Sequence, residues 1–415
     1  MDDFSVATAA WFLKPQTQAV FACLNREGFE ARAVGGAVRN ALLGRPVSEV
    51  DFATTAKPED TLRLAEDAGI KTVPTGLSHG TLTLVVDGTP FEVTTLRRDV
   101  TTDGRRATVS FGEDWAEDAR RRDFTMNALY ADAKGQVHDP LGGLNDLLAR
   151  RVRFIGDASE RIREDYLRIL RFFRFSAEYT EGMFDREGIA AIIRERHGVT
   201  SLSRERVRSE LLSILIARRA VDAIEIIDES GLLLLLLGGV ARRKRFERLC
   251  AVEAALQLQP NPIYRLASLA LFVEEDADRI SEKLRLSSLE ANALTALAMI
   301  HPRVLGDQDS VTLGAHLYRL GEHLYIGRLL LAWAASTVTP DEPHWGAAAM
   351  LASSWKRPRL PIAGADLIAI GWKPGPQLGK MLKHLEERWI MSGFKASHED
   401  LLEAAHETGP ANQPL

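Results

Sequence analysis

The run Gly35-Gly36-Ala37-Val38-Arg39-Asn40, followed shortly by Glu49-Val50-Asp51, carries the residues best suited to chemistry. A glycine pair lets backbone N–H groups approach a phosphate, and Arg39 adds positive charge beside it. Glu49 and Asp51 flank Val50, so on a strand their carboxylates share one face. Glu92 supplies a third carboxylate, because its neighbours Phe91 and Val93 are apolar and face the other way. Three hard oxygen donors suit divalent metal: Mg²⁺, with Mn²⁺ as the alternative. Metal beside a phosphate cradle is the equipment of nucleotidyl transfer, where it activates a hydroxyl and stabilises leaving pyrophosphate.

These residues need a scaffold. Residues 16–27 have apolar positions at helical spacing and stop at Gly28, and residues 29–34 read as a strand entering the glycine pair. A short helix follows over 39–43, then a strand over 50–53 and a helix over 58–68. Residues 81–86 and 90–95 alternate around Asp87-Gly88-Thr89, a hairpin signal. Residues 98–118 have no strong periodicity and read as a long polar loop. Beyond about residue 140 strand signals almost vanish. Helices are expected over 158–178, 186–196, 204–217, 219–230, 242–256, 262–275, 278–300, 310–336 and 376–388. The fold class is therefore α+β, with a small α/β head followed by an all-α neck, body and tail. The expected boundaries are an N-terminal helical segment 1–28, head 29–145, neck 146–217, body 218–356 and tail 357–415.

At 415 residues the chain is too long for one core, and its 46% hydrophobic and 26% charged residues suit a soluble globular protein. The net charge of −5 still allows one basic face. Cys23 and Cys250 lie in apolar helical contexts, as expected of buried thiols in a cytoplasmic protein. No apolar run reaches membrane-spanning length, and the start lacks a basic signal-peptide region.

The order Gly-Gly-x-Val-Arg, Leu-Leu-Gly and acid-x-Asp-x-Ala-Thr resembles the bacterial-type tRNA nucleotidyltransferase / poly(A) polymerase family, which includes CCA-adding enzymes. Gly76-Leu77-Ser78-His79-Gly80-Thr81, Phe91 to Arg97, Arg121-Arg122-Asp123-Phe124-Thr125-Met126-Asn127-Ala128, Asp139 to Gly143 and Glu164 to Arg171 follow in the same order. The resemblance is dense over 31–210 and returns weakly over 362–379. It implies a polymerase-β-like palm that adds C, C and A to a tRNA 3′ end from CTP and ATP, with no part for DNA or a membrane. It also implies that Arg122 contacts nucleotide phosphate and Asp123 the sugar hydroxyl. Asp165 and Arg168, three apart on a helix, would read the base edge, and Arg171 and Arg174 would meet the triphosphate. Asn127 is expected to satisfy local backbone. The long loop at 98–118 would favour complete addition over CC alone.

Basic residues continue beyond the head. Arg206 and the run Arg242-Arg243-Lys244-Arg245 are the candidate RNA contacts, alongside Arg150, Arg151, Arg153, Arg204, Arg208, Arg218 and Arg219. Two positions depart from the family pattern. Asn40 replaces an aspartate, removing a charge near the phosphate loop, and Glu49 replaces the first metal aspartate with a longer arm. Since Mg²⁺ holds its oxygens at ~2.0–2.1 Å, the longer arm matters for rate. The alternatives are a poly(A) polymerase, a CC- or A-adding enzyme, or an RNA-binding protein whose metal site has degraded. The oligomeric state stays open.

Overall fold

The computed structural model describes residues 4–77, 80–103, 106–299 and 303–409. The Ser78-His79 part of the Gly76–Thr81 motif, and Gly104-Arg105, lie outside them. The chain divides into two compact units, Met1–Leu236 and Leu237–Leu415.

In the first unit, α1 (Pro15–Leu24) starts on a proline and buries Val20, Phe21, Cys23 and Leu24. The chain then enters β1 (Ala31–Val34), α2 (Gly36–Leu42), β2 (Asp51–Thr54), α3 (Pro58–Asp67), β3 (Lys71–Gly76), β4 (Thr81–Val86) and β5 (Thr89–Thr95). The β4–β5 turn places Asp87 and Gly88 at φ of 48° and 77°, as a tight hairpin turn requires. Next come β6 (Arg97–Asp103), β7 (Arg106–Phe111), α4 (Trp115–Arg120), β8 (Tyr130–Ala131), β9 (Val137–His138) and α5 (Gly143–Leu148). The main sheet has the order β3-β4-β5-β2-β1-β8-β9. Within it β2 and β5 run parallel, with Phe52 beside Val93, so one residue earlier Asp51 stands beside Glu92. Phe52, Ala53, Leu82, Leu84 and Val93 fill the core of this sheet, which anchors the strand ends carrying the acids.

Residues 98–118 are not one loop. β6 and β7 pair antiparallel from Arg97↔Phe111 to Asp103↔Arg106, and α4 follows, capped by the Asp114 carboxylate. Asp103-Gly104 between threonine- and valine-containing runs is a hairpin signal in the sequence, but polar threonines mask the alternation.

The helix expected over 158–178 is two, α6 (Ala158–Glu164) and α7 (Leu167–Tyr179). Asp165 between them is extended, at φ −154° and ψ 105°, and its Oδ1 accepts from the Leu167 amide at 3.1 Å. A short acceptor side chain competes here with the helix ladder and ends it. α8 (Arg186–Glu195), α9 (Arg204–Ile216), α10 (Ala220–Glu229) and α11 (Leu232–Leu237) follow.

The second unit is helical throughout its described residues: α12 (Arg243–Ala255), α13 (Pro262–Ala270), α14 (Glu275–Leu284), α15 (Ser288–Ala298), α16 (Ser310–Ala335), α17 (Pro343–Ser354), α18 (Gly364–Ala369), α19 (Pro376–Met391) and α20 (His398–Thr408). The span expected as one helix over 278–300 divides because Arg285 turns left-handed at φ 52° and Ser287 starts a capping box with Glu290. α16 breaks at Gly321, whose φ of 72° is not helical. One core surrounds Tyr325, Trp333 and Trp345, and another surrounds Leu367, Leu385, Trp389 and Leu401. Among the described residues no helix is long and apolar enough to cross a membrane. Both cysteines are free, with Cys23 buried and Cys250 half-buried.

Candidate active site

A cavity of about 530 Å³ in the first unit is lined by Gly35, Gly36, Arg39, Glu49, Asp51, Arg122, Asp123, Asp165, Arg168, Arg171 and Arg174, together with Asn127 and Phe175. Residues as far apart in sequence as Gly35 and Phe175 converge there. Glu92 is not among its lining residues.

Gly35 turns the chain from β1 into α2 at φ 69°, a conformation that favours glycine. Its N–H donates to the Leu129 carbonyl at 3.1 Å, so the open amides are those of the first turn of α2, before Arg39 N–H bonds Gly35 O. Arg39 does not reach out as a free charge. It is buried, with Nη1 donating to Asn127 Oδ1 at 2.5 Å and Nη2 to the Tyr179 hydroxyl at 2.7 Å. Its guanidinium also lies 4.3 Å from the Tyr179 ring centroid. Asn40 completes this clamp. Its Oδ1 accepts from Arg39 Nε and from Tyr179, while its Nδ2 donates to Pro46 O at 3.0 Å. The amide thus serves at both ends, and an aspartate has no donor for Pro46.

The acids are placed differently from expectation. β2 begins at Asp51, so Glu49 sits in the preceding loop and meets Asp51 at the cavity wall, not on a strand face. Burial, then the Glu92 and Glu49 carboxylates, push the Asp51 carboxyl up to about 6 against the pull of Arg122. None of the three carboxylates makes a hydrogen bond or ion pair with another described residue. Uncommitted, all-oxygen and mutually repelling, this donor set fits a hard divalent cation. Among the described residues no three His, Cys, Asp or Glu side chains are drawn together closely enough to hold one as they stand.

The arginines are held by partners that sequence reading missed. Asp118, fully buried on α4, accepts from Arg121 at 2.6 Å, Arg122 at 3.2 Å and the Tyr130 hydroxyl at 2.8 Å. Its spacing of three and four residues to Arg121 and Arg122 is the signal that could have found it. Asp123 Oδ2 accepts from Arg171 at 2.7 Å, and its Oδ1 from the Phe124 amide and Asn127 Nδ2. Asn127 therefore links Asp123 to Arg39 through its side chain rather than satisfying backbone. Glu210 on α9 pairs with Arg174 at 2.6 Å, and Phe175 lies under the guanidiniums of Arg171 and Arg174, at 5.2 and 4.5 Å.

Asp165 and Arg168 both line the cavity but have separate partners. Asp165 Oδ2 accepts from Arg206 Nη2 at 2.6 Å. Arg168 Nη1 donates to Glu164 at 2.5 Å and to Arg161 O at 2.8 Å, and its Nη2 donates to Arg121 O at 3.2 Å. Arg206, a candidate RNA contact, is paired with Asp165, one of the residues that line this cavity. Arg151 and Arg153 are likewise committed to Asp146, and Arg219 to Asp222. Arg242 and Arg245 lie in the second unit.

Residues 31–153 match the Poly A polymerase head domain family. The chain is 34% identical to the mitochondrial CCA tRNA nucleotidyltransferase 1 of Danio rerio, over 90% of this chain and 86% of that protein. It is 32% identical to a CCA-adding enzyme of Anoxybacillus flavithermus, over 94% and 96% respectively. The crystal structure of the Bacillus stearothermophilus CCA-adding enzyme in complex with CTP superposes with a TM-score of 0.71 at 26% identity, covering 95% of this chain and 98% of that one. Identity at this level along nearly the whole chain, joined to the shared fold, places the protein in the family of CCA-adding tRNA nucleotidyltransferases, which are metal-dependent enzymes.

Proposed function

We infer that this chain adds C, C and A to the 3′ end of tRNA from CTP and ATP, releasing pyrophosphate. One observation carries the reading: acids, arginines and a carboxylate–guanidinium pair share a single cavity. The terminal ribose oxygen attacks the α-phosphorus, the bond to the bridging oxygen breaks, pyrophosphate leaves and the hydroxyl proton passes to solvent. Asp51, Glu49 and Glu92 would hold Mg²⁺ or Mn²⁺, which when bound lowers the hydroxyl pKa and neutralises phosphate charge. The first-turn amides of α2, with Arg122, Arg171 and Arg174, receive the phosphates, while Arg39 positions that turn. Asp123 orients Arg171 beside the sugar.

Asp165 retains acceptor sites beyond those filled by Arg206 and Leu167, and Arg168 retains its Nε–H and one Nη2–H. An acceptor facing an amino group beside two donors facing ring acceptors fits cytosine and adenine, and misfits uracil and guanine. The two free thiols accord with a cytoplasmic location.

Incubating tRNA trimmed of its CCA end with each nucleotide, then resolving products to one residue, tests this. Two added residues with CTP, three with CTP plus ATP and none with UTP or GTP are expected. A long ladder with ATP alone overturns the reading. Glu49→Asp should change kcat by about tenfold or less, since charge is kept and only the arm shortens. Because a protonated carboxyl binds cations poorly, Mn²⁺ affinity should fall as pH drops through 6, about tenfold per pH unit below it. Calorimetric titration with Mn²⁺ between pH 5 and 8 checks the slope.

A further inference from the structure

The second unit holds a cavity of about 430 Å³ whose wall includes Arg242, Arg245, Arg303 and Arg328, and whose described lining contains no acidic side chain. Two of these arginines brace neighbouring backbone: Arg328 Nη2 donates to Ala296 O at 2.9 Å and Arg245 Nη1 to Leu271 O at 3.1 Å. The Arg245 Nε is nevertheless buried with no partner. Burial and the nearby Arg242 pull the Arg245 guanidinium down to about 10. The guanidiniums of the other two make no ion pair or hydrogen bond with a described residue. Arg242 lies 3.9 Å from the Phe272 ring centroid. Phe272 and Met299, which also line the cavity, are 44% and 51% exposed. Glu274, Glu275 and Asp276 follow this wall in sequence without lining the cavity, and Asp276 is committed to the Phe272 and Val273 amides and to Arg279.

Gathered guanidiniums without a carboxylate repel one another and favour a bound anion, and an exposed ring beside them favours a flat apolar partner. A nucleotide unit offers both, a phosphate and a stacking base. We propose that this cavity takes one nucleotide of the RNA substrate, with its phosphate on Arg242 and Arg303 and its base against Phe272. The assignment rests on the tRNA reading above and adds a contact site remote in sequence from the catalytic residues.

The test measures binding of CCA-trimmed tRNA to the full chain across a salt series. Arg242→Gln with Arg303→Gln should raise Kd about tenfold and make the log–log salt slope shallower by about one. Phe272→Ala, which alters no charge, should raise Kd about fivefold or more without changing that slope. In steady state both should raise KM for tRNA and leave kcat and KM for CTP unchanged. Melting curves confirm that the exposed-site variants stay folded. Normal extension with unaltered tRNA affinity in both variants overturns the cavity assignment alone. Failure of the wild-type chain to extend tRNA overturns the functional reading instead. AMP affinity lost in the double variant while tRNA affinity holds would assign the cavity to a free nucleotide and overturn the RNA assignment.

Discussion

Asp51→Asn should abolish nucleotide addition, lowering kcat by about 10³-fold or more, a transition-state loss of at least ~4 kcal/mol. Asparagine keeps the shape and one oxygen but removes the charge that a hard cation requires. The fold should tolerate the change. The Asp51 carboxylate makes no hydrogen bond or ion pair with another described residue, and the Glu92 and Glu49 carboxylates disfavour its charge. Removing that charge relieves repulsion, so the melting temperature without metal should not fall. Single-turnover extension of trimmed tRNA, with CTP affinity and melting measured alongside, separates the effects. Retained extension would remove Asp51 from the reaction, and a large fall in melting temperature would make its role structural.

Asp118→Ala should give the largest loss of stability among the residues around the site. Asp118 is fully buried and bonded to Arg121, Arg122 and Tyr130. Truncation strands buried donors and costs about 3–5 kcal/mol, or roughly 10 °C in melting temperature. Burial by itself would raise its carboxyl, but Arg122, Arg121 and the Tyr130 hydroxyl outweigh it and hold the group below the ordinary 3.8. A depressed folded pKa means that this stabilisation is complete above about pH 4 and is lost as pH falls through the folded value. The gap between wild type and variant should therefore narrow in acid. A gap that stays constant from pH 7 to pH 3 in thermal melts would show that the charge of Asp118 is not what stabilises the fold. Arg122, released from its anchor, should also lose its grip on nucleotide, seen as a raised KM for CTP.

Much of the architecture was legible because its signals are local. Pro15, Pro58, Pro262 and Pro376 each open a helix at a position where the missing N–H costs nothing. Gly35 and Asp87-Gly88 announce backbone turns that few other residues adopt. The alternation of β4 and β5 already put Phe91 and Val93 inside and Glu92 outside. Where the reading failed, a local signal competed with another. Threonine-rich β6 and β7 looked like loop, and the apolar spacing through Asp165 looked like unbroken helix until its own carboxylate capped the next segment.

The site divides along the same line. The sequence by itself determined which chemical groups are available and the backbone turns that present them: the Gly35 turn, the acids at 49, 51 and 92, and the arginines from 122 to 174. Residue type sets charge, donor count and allowed φ and ψ before any folding. Only the tertiary structure decided which groups act together. It turned Arg39 inward onto Asn127 and Tyr179, gave Asn40 a donor role towards Pro46, paired Arg206 with the Asp165 carboxylate, and paired Glu210 with Arg174. The energy of such a pair depends on distance and on how much water the fold removes around it. Neither quantity exists until helices and strands far apart in the chain have packed.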